Sequence, residues 1–126
     1  MPDAKLKQLQ YEADTWKRLL GFMVEENIYL KNRIAEILRN GFGKDKLEVV
    51  EEFQNKFIKQ DDLVKLIRHQ VVELDKLLVR EIFEDGKIIH AVNKKLSAVR
   101  NNVTLAEKEF TKLKLSFNNY LLEELD

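Results

Sequence analysis

Few residues of this 126-residue chain have the means to do chemistry, and their spacing decides against it. There are two histidines, His69 and His90, and no cysteine. A carboxylate-bridged di-iron site in a helical bundle needs glutamates on facing helices and a Glu-x-x-His repeat directed inward. The residues three places before the two histidines are Leu66 and Lys87. Without cysteine there is no thiol nucleophile, no disulfide and no thiolate metal site. Ser97 and Ser116 stand in helical sequence with no histidine or acid spaced to activate them. The stretch Asn40-Gly41-Phe42-Gly43-Lys44 lacks both the spacing of a phosphate loop and the hydroxyl residue after its lysine. No catalytic residue, metal ligand or cofactor is therefore assigned, and the chain reads as non-enzymatic.

Charge is equally reticent. Basic and acidic residues number 22 each, so the net charge is zero and the simplest reason to bind nucleic acid or an anionic membrane is gone. The charges are unevenly placed, however. Between 87 and 117 the chain carries Lys87, Lys94, Lys95, Arg100, Lys108, Lys112 and Lys114 against only Glu107 and Glu109. As phosphate contacts these support an alternative reading, a nucleic-acid-binding protein using a basic third helix. No exposed aromatics are interleaved to stack on bases. The competing expectation is that this basic helix complements the acidic stretch 41–86 lying beside it. The start, Met1-Pro2-Asp3-Ala4-Lys5, has no apolar run behind it, so no signal peptide is expected. The longest apolar stretch, Leu19 to Val24, is far short of a membrane span. A cytoplasmic protein without a membrane partner is the expectation.

The elements are legible from hydrophobic period. Three ladders step three, four, three, four along the chain. The first is Leu6, Leu9, Ala13, Trp16, Leu20, Met23, Asn27, Leu30, Ile34, Ile37. The second is Val50, Phe53, Phe57, Gln60, Val64, Ile67, Val71, Leu74, Leu78. The third is Ile89, Val92, Leu96, Val99, Val103, Ala106, Phe110, Leu113, Phe117, Tyr120. A mean spacing of about 3.5 keeps one seam of a helix facing a partner.

Gly41 suits the left-handed end of a helix, and Asp45-Lys46-Leu47-Glu48 reads as a capping box opening the next. Asp85-Gly86 marks a second break, although a four-residue phase slip there is also compatible with one helix continuing from 45 to 124. The spacing predicts an all-α, antiparallel three-helix, up-down-up coiled-coil bundle with helices near 3–39, 45–84 and 87–124, forming a single domain over 1–126. Each helix is then about 55–60 Å long at 1.5 Å per residue.

Two features inside and outside the seams mark candidate sites. Asn27 and Gln60 occupy positions that should be apolar, at nearly the same distance from the first turn. They are expected to form a buried polar pair, in contact directly or through one water, that fixes the register of the first hairpin. Glu81 is expected to face His90 across the second turn as an exposed ion pair. Outside the seams, Phe22, Ile28, Tyr29, Ile58, Leu66, Val72, Val79, Phe83, Leu105, Leu115, Leu122 and Leu125 occupy positions that a three-helix core does not use. A dozen such residues suggest either helices bowed so that the heptad frame fails locally or, the favoured reading, burial against a second chain. Phe22, Ile28, Tyr29 and Ile58 are the candidate interface. Gly21 beside Phe22 is expected to permit a close backbone approach.

Three long heptad helices with a tryptophan, Trp16, in a seam of the first resemble a spectrin repeat, although the tryptophan typical of that family's third helix is missing. Trp16-Lys17-Arg18, Glu26-Asn27 and Leu30-Lys31-Asn32-Arg33 also resemble small helical-bundle proteins of Bacteroidetes-type bacteria. That resemblance implies a bacterial cytoplasmic protein and brings no activity or cofactor with it. The expected function is protein–protein interaction, with a homodimer or another helical protein as the partner.

Overall fold

Each ladder becomes a helix because nothing inside it resists: the chain's only proline is Pro2, and a single glycine, Gly21, lies within the three runs. The computed structural model describes residues 2–41, 44–85 and 90–124. Helix α1 spans Pro2–Arg39, α2 spans Lys44–Asp85 and α3 spans His90–Glu124. Asn40 donates its N–H to the Glu36 carbonyl at 3.1 Å, and Gly41 follows with φ of 76°, which ends α1 in the left-handed conformation. Asp45 lies in the first turn of α2 rather than before it, where its charge favours the helix N-terminus.

The chain runs up, down and up. Asn27 and Lys31 of α1 meet Asp61 of α2, while Lys17 meets Asp75, so α1 and α2 are antiparallel. Phe53 of α2 meets Phe117 and Tyr120 of α3, and Gln70 meets Asn102, so α3 returns along α2. That return excludes one continuous helix from 45 to 124. Glu12 meets Arg100 and Glu26 meets Lys114, both pairs 88 residues apart, so α1 and α3 run parallel in constant register.

The core is the three ladders. From Leu9 to Ile37 every residue of the first is buried. In the second and third only Phe53, Leu113 and Tyr120 are partly exposed among the described residues, and all three pack on the core. Burial of one such side chain contributes about 1.5–3 kcal/mol, so stability is spread along the full length. Near the Gly41 turn the rings concentrate: Phe53 lies 5.1 Å from Phe117 and 5.7 Å from Tyr120, and Phe57 meets Phe117 edge-on at 5.5 Å. Trp16 is covered by the Arg100 guanidinium 6.0 Å from its ring, which Glu12 holds with bonds of 2.6 and 2.9 Å. The side chains of Glu81, Phe83, Ile89, His90 and Leu125 lie outside the described residues, and so does the ion pair expected of the first and fourth.

Gly21 departs from expectation. A Cβ built there meets nothing within 4 Å, so no neighbouring backbone needs the space. Gly21→Ala should therefore raise stability by about 0.5–1 kcal/mol, the penalty of glycine inside a helix. Gly41→Ala should lower it by about 1–2 kcal/mol, because an alanine is forced to positive φ. Urea midpoints at unchanged slope check both signs.

Candidate functional site

The most constrained chemistry lies where the first two ladders turn polar. Asn27 is 2% exposed. Its Nδ2 donates to the Phe57 carbonyl and to Asp61 Oδ1, both at 2.9 Å. Both partners are acceptors, so the orientation of the amide is fixed, and its Oδ1 has no partner among the described residues. Lys31 Nζ closes on Asp61 Oδ2 at 2.7 Å, with Lys65 Nζ 3.9 Å away. Burial by itself pushes the Asp61 carboxyl up. The hydrogen bonds from Lys31 and Asn27, with the charges of Lys31 and Lys65, outweigh it and hold the group below the ordinary aspartate range.

Gln60 is also buried, yet its Nε2 donates at 3.0 Å to the Ala106 carbonyl of α3. The direct hydrogen bond expected between them is therefore corrected. Asn27 and Gln60 are both interior, and each is held by a different partner. The reason is angular. Neighbouring residues on a helix point about 100° apart, so Asp61 faces α1 while Gln60 faces α3. An ionised carboxylate is also the stronger acceptor for the Asn27 amide. Asp61 was legible only as a second polar residue directly after Gln60 in an apolar seam.

Ion pairs close the outer seams. Lys17–Asp75 at 2.8 Å and Lys31–Asp61 join α1 to α2. Arg100–Glu12 and Lys114–Glu26, the latter at 2.8 Å, join α3 to α1. The basic third helix was expected to complement the acidic second. Its cross-helix cations instead reach acids of α1, and one α2–α3 ion pair, Lys46–Glu124 at 3.4 Å, puts the base on α2. Charge summed over a helix does not say which flank carries it. Of the candidate phosphate contacts, Arg100 and Lys114 are thus engaged within the chain, Lys94, Lys95, Lys108 and Lys112 are exposed, and Lys87 lies outside the described residues.

Three uncovered faces remain. Phe22, Ile28, Tyr29 and Ile58 are 52%, 49%, 73% and 45% exposed. Tyr11, Phe22 and Tyr29 are spaced eleven and seven apart and so form one stripe on α1. Ile28 and Ile58 each follow by one residue a member of the Asn27–Phe57 contact, which places them at nearly the same level on α1 and α2. Ile58, Val72 and Val79 share one stripe of α2 at heptad spacing. The second face is the outer side of α3, with Leu105, Leu115 and Leu122 exposed. The third is a groove between α2 and α3 of about 460 Å³, floored by Phe53, Leu63 and Leu113. Leu66 is exposed as expected, and Tyr11 is an exposed aromatic that the sequence reading had not singled out.

His69, Ser97 and Ser116 are exposed. Among the described residues no group of three or more His, Cys, Asp or Glu is placed to hold a metal ion, and no helix is long and apolar enough to cross a membrane. No protein family, curated protein or solved structure matches the chain.

The polar node gives two measurable outcomes. Asn27→Leu should destabilise by about 1–3 kcal/mol in urea titrations, because it leaves a buried Asp61 oxygen short of a donor. The folded Asp61 carboxyl titrates below its unfolded value near 3.8, so its contribution is present above that value and is lost as pH falls through the folded pKa. The stability difference between wild type and Asp61→Asn should accordingly be largest near neutral pH and shrink in acid. An undiminished difference at about pH 2 would contradict the charged node.

Proposed function

We propose that this chain is a non-enzymatic helical-bundle protein that works through protein–protein interaction and self-associates by the outer face of α1 and α2. The observation that carries the proposal is the exposure of Phe22, Ile28, Tyr29 and Ile58 on a bundle whose three seams already bury a full core. Scattered apolar residues on a surface are ordinary; an aromatic stripe on one helix with an exposed isoleucine beside it and another on the neighbouring helix is less so. A two-fold axis across the stripe pairs each residue with its counterpart, the commonest way such a face is closed. Burying two aromatics and two isoleucines per protomer contributes on the order of 5 kcal/mol before the association entropy is charged. The space above Gly21, next to Phe22, lets a partner side chain settle without clash. A cytoplasmic setting belongs to the same proposal.

The alternative is nucleic-acid binding through α3. Four exposed lysines, Lys94, Lys95, Lys108 and Lys112, favour it, and it requires affinity to fall steeply as salt is raised.

Light scattering across a concentration series should give a mass near twice 14.9 kDa. The double variant Phe22→Glu with Tyr29→Lys should be monomeric with its helicity retained. A wild-type protein that stays monomeric at high micromolar concentration would overturn the proposal.

A further inference from the structure

We propose that the groove between α2 and α3 docks an acidic amphipathic helix of a partner protein. This face is distinct from the α1–α2 surface of self-association, and the two proposals stand separately.

The groove has the parts that such a helix needs. Its floor is apolar, from Phe53 and Leu63 on α2 and Leu113 on α3. Its rims are cationic on both sides, Lys56 and Lys59 on α2 and Lys112 on α3, with Glu109 the acid among the lining residues. Every cross-helix seam that involves α1 is closed by lysine or arginine on a carboxylate. Here none of the three lysines has a carboxylate within ion-pair distance among the described residues. Lys56 lies over the Phe53 ring at 5.7 Å, at the lip of the floor. Lys56 and Lys59 stand one turn apart on one helix, a like-charge spacing that is mildly unfavourable until an anion sits between them.

Shape selects the occupant. The groove is open to solvent along its length, with Lys56, Lys59, Glu109, Lys112 and Ser116 all exposed, whereas a small-molecule site encloses most of its ligand. Its walls are two antiparallel helices, so the complement is a third rod laid between them, with apolar residues on the floor and carboxylates along both flanks. That is the pattern of a heptad helix with acids on either side of its seam. A second copy of this chain fits poorly. Its aromatic stripe through Phe22 and Tyr29 is bordered by Arg18 and Arg33 as well as Glu25 and Glu26, so it offers no continuous row of carboxylates.

Fluorescence anisotropy on the full-length protein tests the proposal with two labelled probe peptides of three heptads, leucine at both seam positions, carrying either glutamate or lysine on the flanking positions. The glutamate peptide should bind about tenfold or more tightly than the lysine peptide. Combined Lys56→Gln, Lys59→Gln and Lys112→Gln, which leaves the apolar floor intact, should weaken the glutamate peptide by about tenfold or more. Phe22→Glu with Tyr29→Lys should leave its binding unchanged. Equal binding of the two peptides, indifference to the lysine substitutions, or absence of binding at high micromolar protein would each overturn the proposal. So would loss of binding in the Phe22 and Tyr29 variant, which would move the peptide to the other face. A single-stranded oligonucleotide that displaces the peptide at equal concentration would also overturn it, in favour of a general polyanion site.

Discussion

Everything in this bundle is referred to the contact between Asp61 and its two α1 partners, Asn27 and Lys31. An apolar seam of leucine, isoleucine and valine is nearly indifferent to a slip of seven residues, because one heptad resembles the next. A carboxylate in the seam is not indifferent. Sliding α1 by one heptad would set Asp61 against Leu20 or Ile34, both fully buried, and leave an ion in an apolar wall at a cost of several kcal/mol. One short polar contact therefore selects a register that the other seam positions only permit.

The remaining polar contacts follow once that register is set. With α1 placed on α2, Lys17 falls opposite Asp75 two heptads away. Gln60, the residue beside Asp61, is turned towards α3 and finds the carbonyl of Ala106, a residue whose side chain is too small to cover it. Glu12 and Glu26 then meet Arg100 and Lys114 at the same sequence separation. Exposed pairs of this kind contribute little each. Their worth lies in agreement, since all of them are satisfied in one register. The arrangement also shapes what is left over. The acids of α1 and of the α1 side of α2 are taken up in those seams, and among the described residues the lysines along the α2–α3 groove make no ion pair.

The pockets found among the described residues of the bundle are grooves open to solvent. Two of the surfaces that remain after the core is built carry the proposals above, an aromatic and aliphatic face on α1 and α2 and a lysine-rimmed apolar groove on α2 and α3. They differ in charge. The first is aromatic and aliphatic. The second is lined by three lysines against one glutamate. Both are held on long helices, which gives them fixed geometry without dependence on loops.

Much of this was legible in the sequence. The 3.5-residue ladders determined the helices, the core and, by exclusion, the apolar residues left outside, because a helix exposes a residue or buries it according to angle alone. Phe22, Ile28, Tyr29 and Ile58 are exposed for that reason. The glycine at 41 ended the first helix because few other residues tolerate its φ. What the ladders left open was which neighbour each flank would meet. Asn27 and Gln60 share a height, yet one reaches an aspartate on α2 and the other a carbonyl on α3. The basic third helix found its acids on α1 rather than on the acidic second helix. Periodicity fixes the angle of a side chain about its own axis. Only the packing of three axes decides what stands at the end of it.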